Sequence, residues 1–418
     1  MYQLYLKYRD REFLYIIPLV LFSLAMRLGN FIRIYASGKG FPDSEDSQWY
    51  IEYANALMTN FQIGLHMNDI LYLGYNVLLT LLLAIFKDPV AIIFIQALTA
   101  GLSVILVYKI ARMLFNRRTA VVASLFYSYS WNITKWSTYI LSDSFFISLL
   151  LLCVYFLLMS LESKKRIYTI LFVLTSLYMM VFRPTGVISL AFIMIYFLFR
   201  IDKQVLLDLA KKYRLVIGAV VGAAVAVLIY MIVGDKLNPL IESLQYNAKL
   251  VLYNIYAHGW IYDKESTHDY TFKPDYTINI FGSLILSFLI NNWDHVLILY
   301  GRRAIAFLGW WVWETDLSTF RGITRFFWYV LPTVLFLTGT IASIVNGLFR
   351  KASIVWLVAL AVYGFCILIF IDGVYRYKAP ALPFLAIAAA YGVDTIIHGA
   401  KTIINNYAGK LLWAKKKY

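Results

Sequence analysis

The stretch ILYLGYNVLLTLLLAIF, residues 70–86, decides how the chain is arranged. A run of this length and hydrophobicity could cross a bilayer as a helix. If it did, the basic residues Arg112, Arg117 and Arg118 would face the outside, and every later basic cluster would change sides. Short cytoplasmic loops are enriched in Lys and Arg. We therefore predict that this run is a helix that lies against the outer leaflet or dips into it.

The composition around this stretch indicates an integral membrane protein. Of the 418 residues, 61% are hydrophobic and 15% are charged, and the mean hydropathy is +0.69. A soluble domain is nearer 45–50% apolar and 25% charged. The net charge of +15 lies in short basic clusters between apolar runs, which is the pattern that orients membrane helices. Membrane lipid, and not nucleic acid, is therefore the expected partner of the basic residues.

Ten apolar runs predict an all-α polytopic protein of about ten transmembrane helices in the cell membrane. Every second loop is basic, so both termini are predicted to be cytoplasmic. The first run follows Lys7, Arg9 and Arg11 and is predicted to be an uncleaved signal-anchor. The runs lie at residues 13–34, 90–111, 119–136, 144–161, 167–182, 185–200, 215–233, 326–346, 353–371 and 380–397.

The order of the runs divides the chain into three parts. Residues 1–233 are expected to form a transmembrane module with a first outer loop at residues 35–89. Residues 234–325 form a second outer loop with juxtamembrane helices, among them the Trp-rich stretch 281–313, which is typical of the membrane interface. Residues 326–418 hold the last transmembrane helices and a basic cytoplasmic tail.

Charged residues gather at the predicted outer ends of the helices. Asp43 and Asp46 follow the first helix, and Asp143 begins the fourth, where a carboxylate is also favoured as a helix cap. Arg183 and Arg376 oppose the positive-inside bias, so each needs an acidic partner or an anionic ligand. A carboxylate can deprotonate an acceptor hydroxyl, and a guanidinium can bind a departing phosphate.

These pieces, in this order, resemble the GT-C glycosyltransferases, specifically the protein-mannosyltransferase and aminoarabinose-transferase-like branch of glycosyltransferase family 39. Residues 46–54 (DSQWYIEYA) fit the first-loop pattern of Asp, then Tyr four positions on, then Ala four further. Residues 73–79 (LGYNVLL) resemble the family's juxtamembrane helix, although both of its prolines are missing here. Residues 137–146 (STYILSDSFF) resemble the second external loop, with Asp143 at the family's acidic position.

The resemblance implies an enzyme that takes a sugar from a polyprenyl-phosphate-linked donor. The acceptor would be a glycan, a lipid or a protein on the outer face. Asp46 is the expected catalytic base, and Asp43 is the competing choice. In some relatives the acid at the position of Asp143 helps to bind a divalent cation. Mg²⁺ or Mn²⁺, held by Asp143 and Asp46, is therefore a candidate cofactor.

Further residues are assigned to substrate binding in this interpretation. The residues expected to bind the donor phosphate are Arg183, Arg376 and Lys378. The residues expected to contact the acceptor or the sugar are Tyr50, His258 and Trp260.

Two other functions remain open at this stage. A lipid-linked glycan polymerase or ligase would share the membrane location and a related fold, and would need a wide groove for a long glycan. A transporter or flippase would act without chemistry. Transporters usually place charged or broken helices near the middle of the bilayer and show two related halves, and neither feature is evident in this sequence.

Overall fold

The computed structural model describes residues 11–415 except residues 62, 64–70, 164, 202, 235–237, 239–285, 287–288, 291–292, 311, 314 and 366–373. Helices make up nearly all of these residues, and no strand occurs among them. The helices, in chain order, are α1 Phe13–Ala36, α2 Glu45–Asn60, α3 Leu73–Phe86, α4 Pro89–Leu102, α5 Val104–Leu114, α6 Arg117–Tyr129, α7 Trp131–Trp136, α8 Ser142–Glu162, α9 Arg166–Met180, α10 Pro184–Arg200, α11 Lys203–Lys212, α12 Arg214–Val233, α13 Trp293–Leu308, α14 Phe320–Val345, α15 Phe349–Ala352, α16 Ile354–Tyr363, α17 Val374–Tyr377 and α18 Leu382–Lys415; a 3₁₀ turn, Ala379–Ala381, precedes α18.

The lengths and composition of these helices are those of a polytopic membrane protein. Four helices of 10–17 residues, α3, α9, α10 and α16, are apolar. Each of the ten predicted runs overlaps a described helix or helix pair, so the all-α membrane class is confirmed. Five segments of the described chain are long and apolar enough to cross a bilayer: Phe13–Ala36, Pro89–Leu114, Ser142–Glu162, Phe320–Val345 and Ala379–Asn405.

Helix α3, which holds most of the opening stretch, is not a full span. Its 14 residues extend about 21 Å, less than the roughly 30 Å of a hydrocarbon core. It begins where the Gly74 N–H donates to the Val181 carbonyl at 2.7 Å. The Gln96 side chain of α4 donates to the Tyr139 carbonyl, close to the start of α8. The start of α3 and Gln96 of α4 therefore lie near the same end of the bundle, and that α3 does not cross the membrane stays a prediction from the charge pattern.

Helix α8 connects the two ends of the molecule. Its 21 residues extend about 31 Å, one membrane thickness. Asp143 lies in its first turn and Glu162 at its last residue. Near Glu162 lies Lys351, whose ammonium donates to the Met113 carbonyl. We call this the basic end of the bundle, and the end at Asp143 the acidic end.

The predicted span 119–136 is wrong in one respect, because the helix breaks at Ser130. Ser130 has extended backbone and separates α6 from α7. Two carbonyls at the end of α6, those of Tyr127 and Ser128, accept hydrogen bonds from Arg27. Arg27 is fully buried within α1, where an unpaired charge would be costly. The guanidinium therefore caps α6, and it is a charge inside a span that the sequence interpretation overlooked.

Two other boundaries differ from the prediction. The last helix continues well past residue 397, to Lys415, because no proline or glycine-rich break follows the apolar run. Helix α16 ends at Tyr363, and the rest of the predicted span 353–371 lies largely outside the described residues.

Within the stretch 281–313, the last turn of α13 is buried in the core. Of this stretch, only α13 is well covered by the described residues. Ala306 and Phe307 in its last turn are buried and pack with Val362 and Leu385 of α16 and α18. This end of α13 is therefore part of the core near the acidic end.

Candidate active site

Asp46 is placed by the start of α2. Ser44 has extended backbone and caps this helix, because its hydroxyl accepts from the Ser47 N–H at 3.2 Å. Asp46 lies in the first turn, where a carboxylate is favoured by the helix dipole. Its side chain is 48% exposed. The acid is therefore held by a helix and is also open to a substrate.

Asp143 lies at the start of α8 and is completely buried. Its Oδ1 accepts from Nη1 of Arg183, and its Oδ2 accepts from Nε of Arg376 at 3.1 Å. Asp143 does not cap α8 through its side chain, because both of its carboxylate oxygens accept hydrogen bonds from guanidinium groups. A buried charge needs such partners to be stable.

Arg183 and Arg376 reach Asp143 from two different parts of the chain. Arg183 has extended backbone and precedes Pro184, the first residue of α10, as expected because proline disfavours a helical residue before it. Arg376 lies in the short helix α17. Its Nη1 donates to Asp46 Oδ2. The four side chains therefore form a continuous row, Asp46–Arg376–Asp143–Arg183, which we call the ion row.

The ion row contains equal numbers of positive and negative groups. Burial by itself would lower the pKa of Arg183, but Asp143, Tyr72 and Tyr50 together outweigh it and the pKa is raised. The pKa of Arg376 is also raised by Asp143, with Asp46 adding to the effect. Both guanidinium groups therefore stay charged at any physiological pH.

Aromatic side chains cover one side of the ion row. Tyr50 lies beside the start of α8, where its hydroxyl is 3.0 Å from Ser142 Oγ. Its ring contacts those of Trp49, Tyr72 and Tyr75. Burial raises the pKa of Tyr50 well above its usual value, so it stays a neutral phenol. Tyr50 and Tyr75 are buried within this group, so the half-buried Trp49 and Tyr72 are the rings with surface for a sugar or an isoprenoid chain.

Tyr72 is a site residue that the sequence interpretation missed. It immediately precedes α3, and burial raises its pKa while Arg183, Asp46 and Arg376 all act on it electrostatically. A signal was present, because Tyr72 directly precedes the LGYNVLL segment that carries the family resemblance.

Asp43 is separated from the ion row by its own loop contacts. Its Oδ1 accepts from the Ser44 N–H and its Oδ2 from the Gln48 side chain, both at 2.8 Å. These bonds hold the turn before α2. Of the two competing acids, Asp46 is the one that the structure brings to Arg376 and Asp143.

Lys378 lies near the site but is bonded elsewhere. Its ammonium donates to the carbonyls of Ala306 and Gly309 at 3.0 and 2.8 Å, and its side chain is buried. These carbonyls belong to the C-terminal end of α13, where a cation is favoured. The contacts show Lys378 as a cap of α13, and its assignment to the donor phosphate stays a prediction.

The described residues do not assemble a ligand set for a divalent cation. Nowhere in the described part of the chain do three His, Cys, Asp or Glu side chains come together as a metal would require. Asp46 and Asp143 are joined through a guanidinium instead. His258 and Trp260, assigned to the acceptor or the sugar, lie outside the described residues.

Comparison with known proteins bears on this site. The sequence model of the family described as dolichyl-phosphate-mannose-protein mannosyltransferase matches residues 73–239. This is less than half of the chain, and it includes Asp143 and Arg183. Among curated proteins, none matches the chain significantly. Residues 73–239 are therefore similar to the dolichyl-phosphate-mannose-protein mannosyltransferases, a family of membrane glycosyltransferases.

Proposed function

We propose that the protein transfers a sugar from a polyprenyl-phosphate-linked donor to a hydroxyl of an acceptor on the outer face of the membrane, with Asp46 as the general base. The observation that carries the proposal is the ion row, which joins a half-exposed carboxylate to two arginines. The family match supports a lipid-linked donor in general.

Exposure divides the roles of the two acids. The side chain of Asp46 is 48% exposed, whereas that of Asp143 is 0% exposed. A general base must come within hydrogen-bond reach of the hydroxyl that it deprotonates. Asp46 meets this requirement, and Asp143 positions the two arginines.

Exposure also divides the roles of the arginines. Arg376 is 15% exposed and contacts Asp46, while Arg183 is 3% exposed and contacts Asp143. In our proposal the donor phosphate takes the Nη1 contact of Arg376 that Asp46 holds in this structure. Asp46 is then released to accept a proton, so donor binding prepares the base. Arg183 stays on Asp143 and keeps Arg376 in position.

The chemical step balances without a further reactant. The acceptor oxygen forms a bond to the anomeric carbon of the sugar as the bond from that carbon to the donor phosphate oxygen breaks. The hydroxyl proton passes to the Asp46 carboxylate. The leaving group is the polyprenyl phosphate, whose developing charge the Arg376 guanidinium stabilises.

The assignment is tested by the Asp46→Asn variant of the purified protein, supplied with a radiolabelled lipid-linked sugar and an acceptor. General-base catalysis contributes roughly 10²–10⁴-fold, so the transfer rate should fall by about that factor while the thermal unfolding temperature is unchanged. Asp43→Asn is the matched control, because Asp43 lies three residues away and is bonded within its own loop.

Two outcomes would count against the proposal. Full transfer by Asp46→Asn, or a larger loss in Asp43→Asn, would remove Asp46 from its role. Movement of intact donor across proteoliposomes without release of polyprenyl phosphate would indicate a flippase instead.

A further inference from the structure

A second candidate site lies at the basic end, one membrane thickness from the ion row. The turn between α5 and α6, the residue after α14 and the middle of α18 enclose a cavity of about 510 Å³. This volume is within the range of roughly 300–1,000 Å³ that small-ligand sites occupy. Nothing in the proposed transfer reaction uses it.

The charge of the cavity favours an anion. Three arginines, Arg112, Arg117 and Arg118, line it together with a single carboxylate, that of Asp394. Asp394 is also tied to the wall, since its Oδ2 accepts from the Asn116 side chain at 2.7 Å. The lining therefore carries an excess of positive charge, even though Arg112 also contacts Glu12 at 3.0 Å.

The position of two of these arginines strengthens the argument. Arg117 and Arg118 are the first residues of α6, and Asn116 caps that helix by accepting from the Thr119 N–H at 3.0 Å. The start of a helix carries a partial positive charge, which disfavours cations and favours an anion. A requirement for basic residues on this side of the membrane would be met equally well by any loop position. Two arginines at this helix start are better explained by a bound anion.

Exposed apolar residues adjoin lining residues of the cavity in the sequence of two helices. Ile344 and Val345 directly precede the lining residue Asn346, and Ile396 and Ile397 follow the lining residue Thr395. All four apolar side chains are between 43% and 77% exposed. A ligand with a phosphate group and an apolar tail would therefore be able to contact both surfaces.

We propose that this cavity binds the phosphate group of an anionic ligand, and that Arg117 and Arg118 are its principal contacts. The adjoining apolar residues favour the headgroup of an anionic membrane lipid as the source of that phosphate. Basic pockets between transmembrane helices are suited to such headgroups. Binding would add a link among the α5–α6 turn, α14 and α18 to the hydrogen bond that already joins Asn116 to Asp394.

The test uses the purified full-length protein in a neutral detergent and follows its thermal unfolding temperature. Three probes are titrated separately: dioctanoyl phosphatidylglycerol, dioctanoyl phosphatidylcholine and inorganic phosphate. A ligand that binds only the folded state raises the unfolding temperature. We expect phosphatidylglycerol to raise it and phosphatidylcholine to leave it unchanged.

Two variants with opposite expected effects keep the test informative. Arg117→Gln/Arg118→Gln removes two charge-assisted contacts and should raise the half-saturating concentration about tenfold or more. Asp394→Asn keeps an acceptor for Asn116 but removes the negative charge, and should lower that concentration. Arg166→Gln is the control, because Arg166 is exposed at the same end of the molecule and does not line the cavity.

The outcomes separate the possible sources of the phosphate. A response to phosphatidylglycerol alone identifies a lipid headgroup, and an equal response to inorganic phosphate identifies a soluble ligand in the same site. An equal response to phosphatidylcholine overturns the proposal. An unchanged titration in both the double variant and Asp394→Asn overturns it too. None of these results depends on glycosyl transfer, so the proposal fails or stands independently of the active site.

Discussion

The guanidinium of Arg376 contacts two carboxylates through different nitrogens. Its Nε is 3.1 Å from Asp143 Oδ2, and its Nη1 donates to Asp46. A lysine carries the same charge on a single nitrogen and lacks this fork geometry. The shape of the side chain therefore matters at this position as well as its charge.

We expect Arg376→Lys to reduce transfer by about tenfold or more, because one charge-assisted hydrogen bond is worth about 1.5–3 kcal/mol. The measurement is the initial rate of transfer at saturating acceptor, with the donor concentration varied. Arg325→Lys, on the exposed surface of α14, is the control. Equal rates for the two variants would show that only the charge of Arg376 is needed.

The buried pair of Asp143 and Arg183 makes a prediction about stability. Removing one partner of a buried ion pair typically costs about 3–5 kcal/mol. Asp143→Asn leaves two guanidinium groups facing each other, whereas Arg183→Gln leaves Asp143 paired with Arg376. We therefore expect Asp143→Asn to lower the unfolding free energy more than Arg183→Gln, as measured by denaturant unfolding in detergent. The reverse order would contradict the contacts of the ion row.

At the residue scale, the sequence identified the arginines whose position opposes the positive-inside bias. Arg183 and Arg376 stood out because they are predicted to lie on the side where arginines are uncommon, and the structure brings them both to Asp143. Arg27 is a charge inside an apolar run, but its carbonyl partners on α6 could not be identified because they lie about 100 positions away in the chain. The choice between Asp43 and Asp46 also required the structure, because both acids lie in one short loop.

At the scale of helices, Lys378 connects the start of the last helix to the end of α13. Its buried ammonium donates to two carbonyls there. Helix ends leave such carbonyls without partners inside the helix. The position of α13 against α16 and α18 therefore depends in part on this one side chain.

We expect Lys378→Met to lower the unfolding free energy by about 1–3 kcal/mol, the cost of leaving buried acceptors unsatisfied. If Lys378 acts only as this cap, it makes no contact with the donor. The KM for the donor, measured on the folded fraction, should then stay within about twofold of the wild type, because loss of a donor contact would raise it. A large rise in that KM with unchanged stability would instead support the predicted phosphate contact. Thermal unfolding and donor titration on the same preparation give both values.

The positions of the helices were more predictable than their ends. Every span predicted from an apolar run overlaps a described helix. The hydrophobic signal of a span is strong because it is summed over many residues. The break at Ser130 depends on the Arg27 side chain of another helix. A local pattern in the sequence contains no information about such a partner.

The close contact of α14 with α18 shows the same limit. A Cβ atom added to Gly339 would overlap the Ala388 carbonyl, and one added to Gly392 would overlap the Leu335 carbonyl. The two helices approach so closely because both residues lack side chains. Each glycine by itself is unremarkable in an apolar run, and only the pairing gives it a role.

For the whole molecule, the ion row and the basic end lie at opposite ends of α8. The charge pattern predicts that the basic end is cytoplasmic and the acidic end faces outward. The contacts show which residues lie at the same end of the bundle. Which end faces the cytoplasm is predicted from the Lys and Arg content of the loops.

We expect Lys39→Cys, placed beyond the end of α1 at the acidic end, to react with a membrane-impermeant maleimide in intact cells. Lys165→Cys, between α8 and α9 at the basic end, should react only after permeabilisation. Both residues are exposed. The native Cys153 and Cys366 are first replaced by alanine, so that labelling reports the introduced thiol. Labelling of Lys165→Cys in intact cells would reverse the predicted orientation.

The contact of Asp46 with Arg376 has a consequence for biosynthesis. The two residues are 330 positions apart, and Asp143 is 233 positions from Arg376. A ribosome delivers Asp46, Asp143 and Arg183 to the membrane well before it reaches Arg376. A nascent chain therefore holds an incomplete charge cluster throughout most of its translation. Chains that terminate before residue 374 lack the arginine that we assign to the donor phosphate, so premature release should give inert protein and no partly active enzyme that consumes lipid-linked sugar.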